Sequence, residues 1–558
     1  MARTIHRSPR AVTSAPGVIP DGNDCARAAA ASSQFLLSET VSFGISRALN
    51  ERAHDGATNV PGLRRRGAGS GVRECVTERL GSDPRKGSAR GLTPEGLLHN
   101  RTARPDRSEP PGEKCEPGVT PVIGTDELTD QFPPHGARMR MRWPQSARKA
   151  RMHALLMAFI LWIALIVTFA AGPGNRSIAG PIKGPDFLQF YTIGSLVRTH
   201  HAAALYDFDA LHRAQVALVP ESDPELYPPV YPPQAALLFA PFSVLSFREA
   251  MLLWSLITIA IFWAIVRSAW RPVAANLPDS VFVFAAAAAF PPFWNLVLYG
   301  QTTIVILAAF WAGWIALERR SRFLAGVAFG VLLIKPQFAI PLAVVVLACR
   351  EWAMLLGAVT SIAMQLGVVA LVLGWRVLEA YAAFVPVMLR HADLLEAKPF
   401  QSHSLRAVTR LAPASIALPL WAVLSAAVII CIVKLWKTGA PLRVRLGLLI
   451  LASVLVNPHL IVYDAAVLAL PLLWFGAYVQ ERNVRADAVM FWMTAYWLYV
   501  TFLAPTAAAI GVQVSVLLMT WMLLLIARIA AREGGSVEAA PSHALAFSAR
   551  GPVSEPTL

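Results

Sequence analysis

The sequence predicts an all-α polytopic membrane protein, a bundle of about 12 transmembrane helices with a large first outer loop carrying amphipathic helices. Three observations carry that prediction. Hydrophobic residues fill 55% of the 558 positions, charged residues only 15%, and mean hydropathy is +0.49, whereas soluble domains carry about 25% charged residues. Apolar runs of spanning or nearly spanning length recur from residue 153 to residue 528. Basic residues concentrate in alternate connections between those runs, as the positive-inside rule requires. The net charge of +15 therefore reads as topology, and a nucleic-acid partner is not expected.

The first 140 residues hold 20 of the 50 basic and 16 of the 35 acidic residues and no membrane-length apolar run. Stretches such as Gly62-Leu63-Arg64-Arg65-Arg66-Gly67 and Glu109-Pro110-Pro111-Gly112 bury too little apolar surface to offset chain entropy, so residues 1–140 read as a disordered polar leader. Two readings fit it: a basic regulatory tail, or a mis-assigned start upstream of Met139 or Met141, from which a short basic segment would lead into the first apolar run. Residues 141–532 form the membrane domain, and 533–558 read as a disordered cytoplasmic tail. The five cysteines are scattered without a C-x-x-C pair, which implies neither a disulfide framework nor a metal site.

The first span, about 153–172, follows Arg138, Arg140, Arg142, Arg148, Lys149 and Arg151, and its apolar core is longer than a signal-peptide h-region of about 7–15 residues. It reads as an uncleaved anchor with a cytoplasmic N-terminus. Further runs cover approximately 249–269, 279–296, 301–318, 323–336, 337–349, 352–374, 412–434, 443–457, 459–479, 488–504 and 510–528. The segment 233–247 is apolar but short and broken by Pro241. Taken as re-entrant or interfacial, it leaves every basic connection on one side and places both termini in the cytoplasm, as in a bacterial inner-membrane protein. The opposite side then receives the loops 173–232 and 375–411 together with Tyr299-Gly300-Gln301, Lys335-Pro336-Gln337 and Asn457-Pro458-His459. These are the places where polar residues interrupt apolar sequence most visibly, so a site at the outer membrane surface is expected.

Gly184-Pro185-Asp186-Phe187 is the strongest local signal. A carboxylate among apolar and aromatic neighbours has a raised pKa suited to a general base acting on a hydroxyl; equally, Asp186 fits as the N-cap of an amphipathic helix running to about Val197. Asp207 and Asp209 read as capping or solvated loop residues. Tyr227-Pro228-Pro229-Val230-Tyr231-Pro232-Pro233 is rigid and extended, with Tyr231 an anchor or part of a lipid-substrate groove. Lys335 snorkels to the headgroups or meets a phosphate. Gln301 hydrogen-bonds a sugar hydroxyl or caps a helix, and Gln337, two residues after Lys335, is a further candidate for substrate binding on the same side of the membrane. The second loop carries Arg390, His403 and Arg406 among other basic residues, against the positive-inside bias, which points to an anionic ligand. If a helix starts at Pro458, His459 and Tyr463 share one face beside Asp464. No Walker loop, Rossmann glycine pattern, H-E-x-x-H or G-x-S-x-G occurs, which disfavours soluble nucleotide-driven chemistry.

Taken together, Gly184-Pro185-Asp186-Phe187, Leu205-Tyr206-Asp207, Tyr231-Pro232-Pro233, Tyr299-Gly300-Gln301, Lys335-Pro336-Gln337 and Asn457-Pro458-His459 resemble glycosyltransferase family 87, many members of which are described only as a domain of unknown function. The resemblance covers about residues 150–530. It implies a GT-C-like membrane enzyme, of the polyprenol-phosphate-mannose-dependent type, that moves a hexose from a polyprenyl-phosphate sugar to a lipid or glycan acceptor hydroxyl on the non-cytoplasmic side. It implies no cofactor beyond the lipid-linked donor. Asp186 matches the acidic base of the first outer loop, Lys335, Arg390 and Arg406 would stabilise the leaving phosphate, and His459 would orient the donor. Relatives of the mannosyltransferase type carry a richer histidine and tryptophan cluster near this last position, and here only His459, Tyr463 and Asp464 stand there. The alternative function is a multi-span transporter or lipid flippase, which would place polar residues near mid-span in two related halves; a non-catalytic envelope scaffold is a third.

Overall fold

The computed structural model describes residues 145–538 apart from Ala179, Pro229, 391–400, Ala504 and Pro505. Residues 1–140, with the alternative starts Met139 and Met141, lie outside the described residues, as do His391, Asp393 and Lys398 of the second loop. Among those described, the regular elements are helices, α or 3-10, and two isolated β-bridges are the only extended pairings. In chain order they are α1 (Gln145–Ala170), α2 (Pro185–Arg198), α3 (Phe208–Leu218), α4 (Gln234–Phe239), α5 (Phe247–Trp270), α6 (Ser280–Ala288), α7 (Pro291–Tyr299), α8 (Thr303–Glu318), α9 (Arg322–Gly330), α10 (Ala339–Ala348), α11 (Trp352–Leu373), α12 (Trp375–Arg390), α13 (Leu405–Thr409), α14 (Ala414–Trp436), α15 (Leu442–Leu455), α16 (Ala469–Arg482), α17 (Arg485–Leu503), α18 (Thr506–Ile510) and α19 (Val514–Glu538).

Every apolar run predicted from the sequence is helical, but length divides them. Six helices are long and apolar enough to cross a membrane, and α6 with α7, bent by 44°, makes a seventh if taken as one broken span. The segments Thr303–Glu318, Arg322–Ile334 and Pro336–Ala348 are shorter, and α15 has 14 residues, a rise of about 21 Å against a hydrocarbon core of about 30 Å. The expected count of about 12 therefore stands at six or seven by length and composition, because hydropathy finds apolar runs without measuring the helix each one forms. These helices make a multi-pass membrane protein. The segment 233–247 forms α4, of six residues, then a 3-10 turn over Ala240–Val244, too short to cross.

Burial separates core from periphery. Only 11% of the apolar window of α14 and 17% of those of α1 and α11 are buried, against 78% for Val462–Arg482. Leu155, Phe159, Ile163, Leu356, Leu371 and Val423 are exposed, the mark of a lipid-facing ring around a protein-lined centre. The basic connections grouped on one side in the sequence are linked here: Glu318 with Arg443 at 3.6 Å, Arg322 with Glu351 at 3.0 Å, Asp487 with Arg528 at 3.4 Å, and Arg151 with Asp279 at 3.7 Å. Such partly exposed pairs add little stability, but they tie the ends of those helices together. The last helix, α19, continues to Glu538, past the residue 533 at which the tail was expected to begin.

The break between α6 and α7 has a local chemical cause. Pro291 and Pro292 have no N–H, so the carbonyls of Ala287 and Ala288 lose their i+4 donors. The Phe290 amide turns to Ala287 O at 3.3 Å, which also strips Ala286 of its partner. The two orphans accept from side chains of other helices: Trp162 Nε1–H of α1 donates to Ala288 O at 3.1 Å, and the Tyr499 hydroxyl of α17 to Ala286 O at 3.1 Å. Trp294 Nε1–H returns to Leu161 O at 2.6 Å. Within a membrane each broken backbone group needs such a partner.

The first outer loop packs as a small helical layer. Nine consecutive residues of α2, Phe187 to Ser195, are buried, so this helix is enclosed on all sides where an amphipathic one was expected; α3 is the amphipathic element, burying only Leu211 and Gln215. Phe190 stacks on Phe239 at 4.8 Å and meets Tyr231 edge-on at 4.7 Å. The proline-rich return is pinned by buried Gln215, whose amide donates to Tyr227 O at 2.7 Å and accepts from Tyr227 N at 3.1 Å, and by the Tyr206 hydroxyl, which donates to Tyr231 O at 3.1 Å.

Candidate active site

A cavity of about 1240 Å³ lies between the start of α2, the return 227–233, the turn at 301, the segment 333–340, α12 and the turn at 458–464. Two left-handed glycines bring its floor together. Gly184 (φ 67°) precedes Asp186 and Gly300 (φ 69°) precedes Gln301. A Cβ on either would strike the Met251 side chain, and one on Gly300 would lie 2.6 Å from Phe187 Cβ, so no other residue fits these turns.

Asp186 is the second residue of α2, and the N-cap is Gly184. Its carboxylate serves the cavity instead of the helix: Gln301 Nε2–H donates to Oδ2 at 2.7 Å, and the Tyr463 hydroxyl bonds the same group. Asp207, by contrast, does cap α3, accepting from Ala210 N at 2.9 Å. Burial pushes the Asp186 carboxyl above its ordinary value against the opposing pull of the Gln301 and Tyr463 hydrogen bonds and of Lys335.

Lys335 neither snorkels outward nor stands open to a phosphate. It is 3% exposed, and Nζ donates to Asp464 Oδ1 at 2.6 Å, Thr303 Oγ1 at 3.0 Å and Gln301 Oε1 at 3.2 Å. The Thr303 hydroxyl donates to the same Asp464 oxygen at 2.5 Å. Tyr231 and Tyr463 present their rings to the ammonium at 5.5 and 5.3 Å, within cation–π range. The result is a closed ion pair with every lysine proton engaged, an arrangement that the spacing of the residues in the chain does not announce.

The structure thus gathers Asp186, Tyr231, Gln301, Lys335, Gln337, Arg406, His459, Tyr463 and Asp464 on one cavity wall. The expected helix over His459 and Tyr463 starts later, at Val462, because Ile461 is bridged to Ser402 and the His403 amide donates to Leu460 O at 2.9 Å. His459 sits in that turn, and burial holds its imidazole below the usual range. Two predicted residues lie elsewhere. Arg390 is exposed at the end of α12 and does not line the cavity. His403 is packed against Phe502, its Nδ1 2.7 Å from Ser515 Oγ. Tyr227, at the start of the proline-rich return, lines the cavity with Tyr231, whereas sequence reasoning missed Thr303, Gln189 and Glu379. Thr303 follows the flagged Gln301 by two residues, the one signal that pointed to it.

Burial lowers the His403 pKa to about 3, so the folded ring is neutral where the unfolded one, near 6.5, takes a proton. Its contribution to stability is complete above pH 6.5 and lost as pH falls toward 3. In a series of melts in detergent, His403→Asn, which keeps an acceptor toward Ser515, is expected to flatten the fall of Tm between about pH 6.5 and 4.

The rest of the cavity lining is mostly apolar, with Leu333, Ile340, Leu378, Val385, Met388 and Leu418, and α12 adds Glu379 and Tyr381 to it. Hydrogen-bonded carboxylates set into a cavity of mostly apolar lining suit an amphiphilic substrate. Residues 230–458 match the family model of glycosyltransferase family 87. The matched residues include Tyr231, Gln301, Lys335, Gln337 and Arg406, and Asp186, His459, Tyr463 and Asp464 stand outside them. On a chain with six membrane-length helices, the match supports a membrane glycosyltransferase. Comparison with curated proteins and with solved structures gave no match. Among the described residues no group of three or more His, Cys, Asp or Glu is placed to hold a metal ion.

Proposed function

We propose that the protein transfers a hexose, with mannose the first candidate, from a polyprenyl-phosphate sugar to the hydroxyl of a lipid or glycan acceptor on the non-cytoplasmic side of the bacterial inner membrane. The observation that supports this most is the position of Asp186, a half-buried carboxylate beside a hydrogen-bonded polar cluster in a cavity of otherwise mostly apolar lining. The isoprenoid chain lies along the wall formed by α12, which sets the anomeric carbon beside Asp186. Asp186 takes the proton of the acceptor hydroxyl, the oxygen attacks the anomeric carbon, and polyprenyl phosphate leaves with its C–O electrons and inversion at that carbon. Arg406, at the same cavity, balances the phosphate charge. Lys335, already neutralised by Asp464, holds the wall in shape.

The test is transfer from tritiated polyprenyl-phosphate sugars to membrane lipid extract by the purified full chain. Product with at least one donor, lost on heat denaturation, supports the proposal; donor uptake into vesicles without covalent transfer overturns it in favour of a carrier.

A further inference from the structure

Gln301 joins the two charged halves of the site, and its amide has only one tenable orientation. Three donors converge on Oε1: the Thr302 amide at 3.2 Å, Lys335 Nζ at 3.2 Å and the Tyr231 hydroxyl at 2.8 Å. An ammonium and a backbone N–H can only donate. A flipped amide would set its NH2 against both, and its oxygen against the Asp186 carboxylate. Lys335 cannot retreat from this position, being held by Asp464 and Thr303. The lysine ion pair therefore fixes the Gln301 oxygen, and the fixed oxygen forces Nε2–H onto Asp186 Oδ2 at 2.7 Å.

We propose that Gln301 is a polarity-locked positioning residue, which transmits the orientation set by the Lys335–Asp464 pair to Asp186 and keeps Asp186 a carboxylate ready to accept a proton. This rests on the role assigned to Asp186 above. In the transfer step the acceptor O–H bond breaks, its proton goes to the Asp186 carboxylate, and its electron pair forms the new bond to the anomeric carbon as the phosphate leaves with its C–O electrons. The groups facing Asp186 are Lys335, Asp464 and the phenols of Tyr227, Tyr231, Tyr299 and Tyr463. Of these, Asp464 is the other carboxyl, and its Oδ1 accepts from Lys335 and Thr303.

The experiment is an infrared pH titration of the full chain in detergent, following the protonated-carboxyl band that Asp186→Asn removes. Gln301→Met deletes the donor and is expected to raise the Asp186 midpoint by about one to two pH units, the worth of one hydrogen bond to a charged group. Gln301→Glu keeps the shape, replaces the donor with an acceptor and raises the midpoint further, so the test survives if the methionine variant does not fold. With undecaprenyl-phosphate mannose as probe, the acid limb of kcat/KM is expected to move by the same interval. A midpoint unchanged from wild type in folded Gln301→Met, or lost activity without movement of the acid limb, overturns the proposal. If wild type transfers nothing from that donor, the donor assignment fails while the infrared titration still decides the role of Gln301.

Discussion

Asp186→Asn is expected to reduce sugar transfer by about 10²–10⁴-fold, the usual worth of a positioned base, and at the same time to raise Tm. The two effects come from one cause. Wild type holds a carboxylate where burial opposes its charge, and the amide removes that charge while retaining a partner for Gln301. Because the folded-state pKa lies above the unfolded one, the stability that Asp186 contributes is complete below its ordinary value near 3.8 and is lost as pH rises through the folded value. The stabilisation of the asparagine variant should therefore be largest at neutral pH and shrink on acidification. Melts of both proteins across pH measure this directly. A variant that is inactive and also less stable at neutral pH would show Asp186 to be a structural residue.

Lys335→Met is expected to destabilise by about 3–5 kcal/mol, because it strands the Asp464 carboxylate in a buried site. Asp464→Leu does the same to the lysine. The double variant, Lys335→Met with Asp464→Leu, is expected to recover most of the loss, since a buried pair replaced as a unit by apolar groups of similar volume is often neutral. Urea or thermal unfolding of the four proteins in one detergent gives the coupling energy. Additive single losses would mean that the 2.6 Å contact is not an energetic unit. Transfer should stay lost in the double variant even when stability returns, since neither apolar side chain can hold the oxygen of Gln301 in place.

Much of this site was legible in the sequence because membrane segments make polar residues conspicuous. Asp186, Gln301, Lys335 and Asp464 each interrupt apolar sequence, and each faces the cavity. Their partnerships were not legible. Lys335 and Asp464 are 129 residues apart and Asp186 and Gln301 115, and only the packing of α2, α8 and the 458–464 turn brings them together. Periodicity also misplaced the helix at His459, since a bridge from Ser402, remote in the chain, delays its start. Arg390 and His403 were flagged for charge in an outer loop, but a loop's side of the membrane does not say which side chains turn inward. Hydropathy located the helices well and misjudged their lengths, because an apolar run does not reveal where prolines and turns will end it.

The break at Pro291 is mechanically unlike a hinge. The two carbonyls left without a backbone donor at the break, Ala288 and Ala286, are claimed by donors from different helices, Trp162 of α1 and Tyr499 of α17. Straightening the elbow would leave an indole and a phenol facing hydrocarbon with nothing to bind. The bend is thereby riveted at two points, and α7, which ends at the glycine before Gln301, acts as a bracket of fixed length. It sets the depth of Gln301 relative to the membrane surface, and with it the depth at which a lipid-borne sugar would have to present its anomeric carbon.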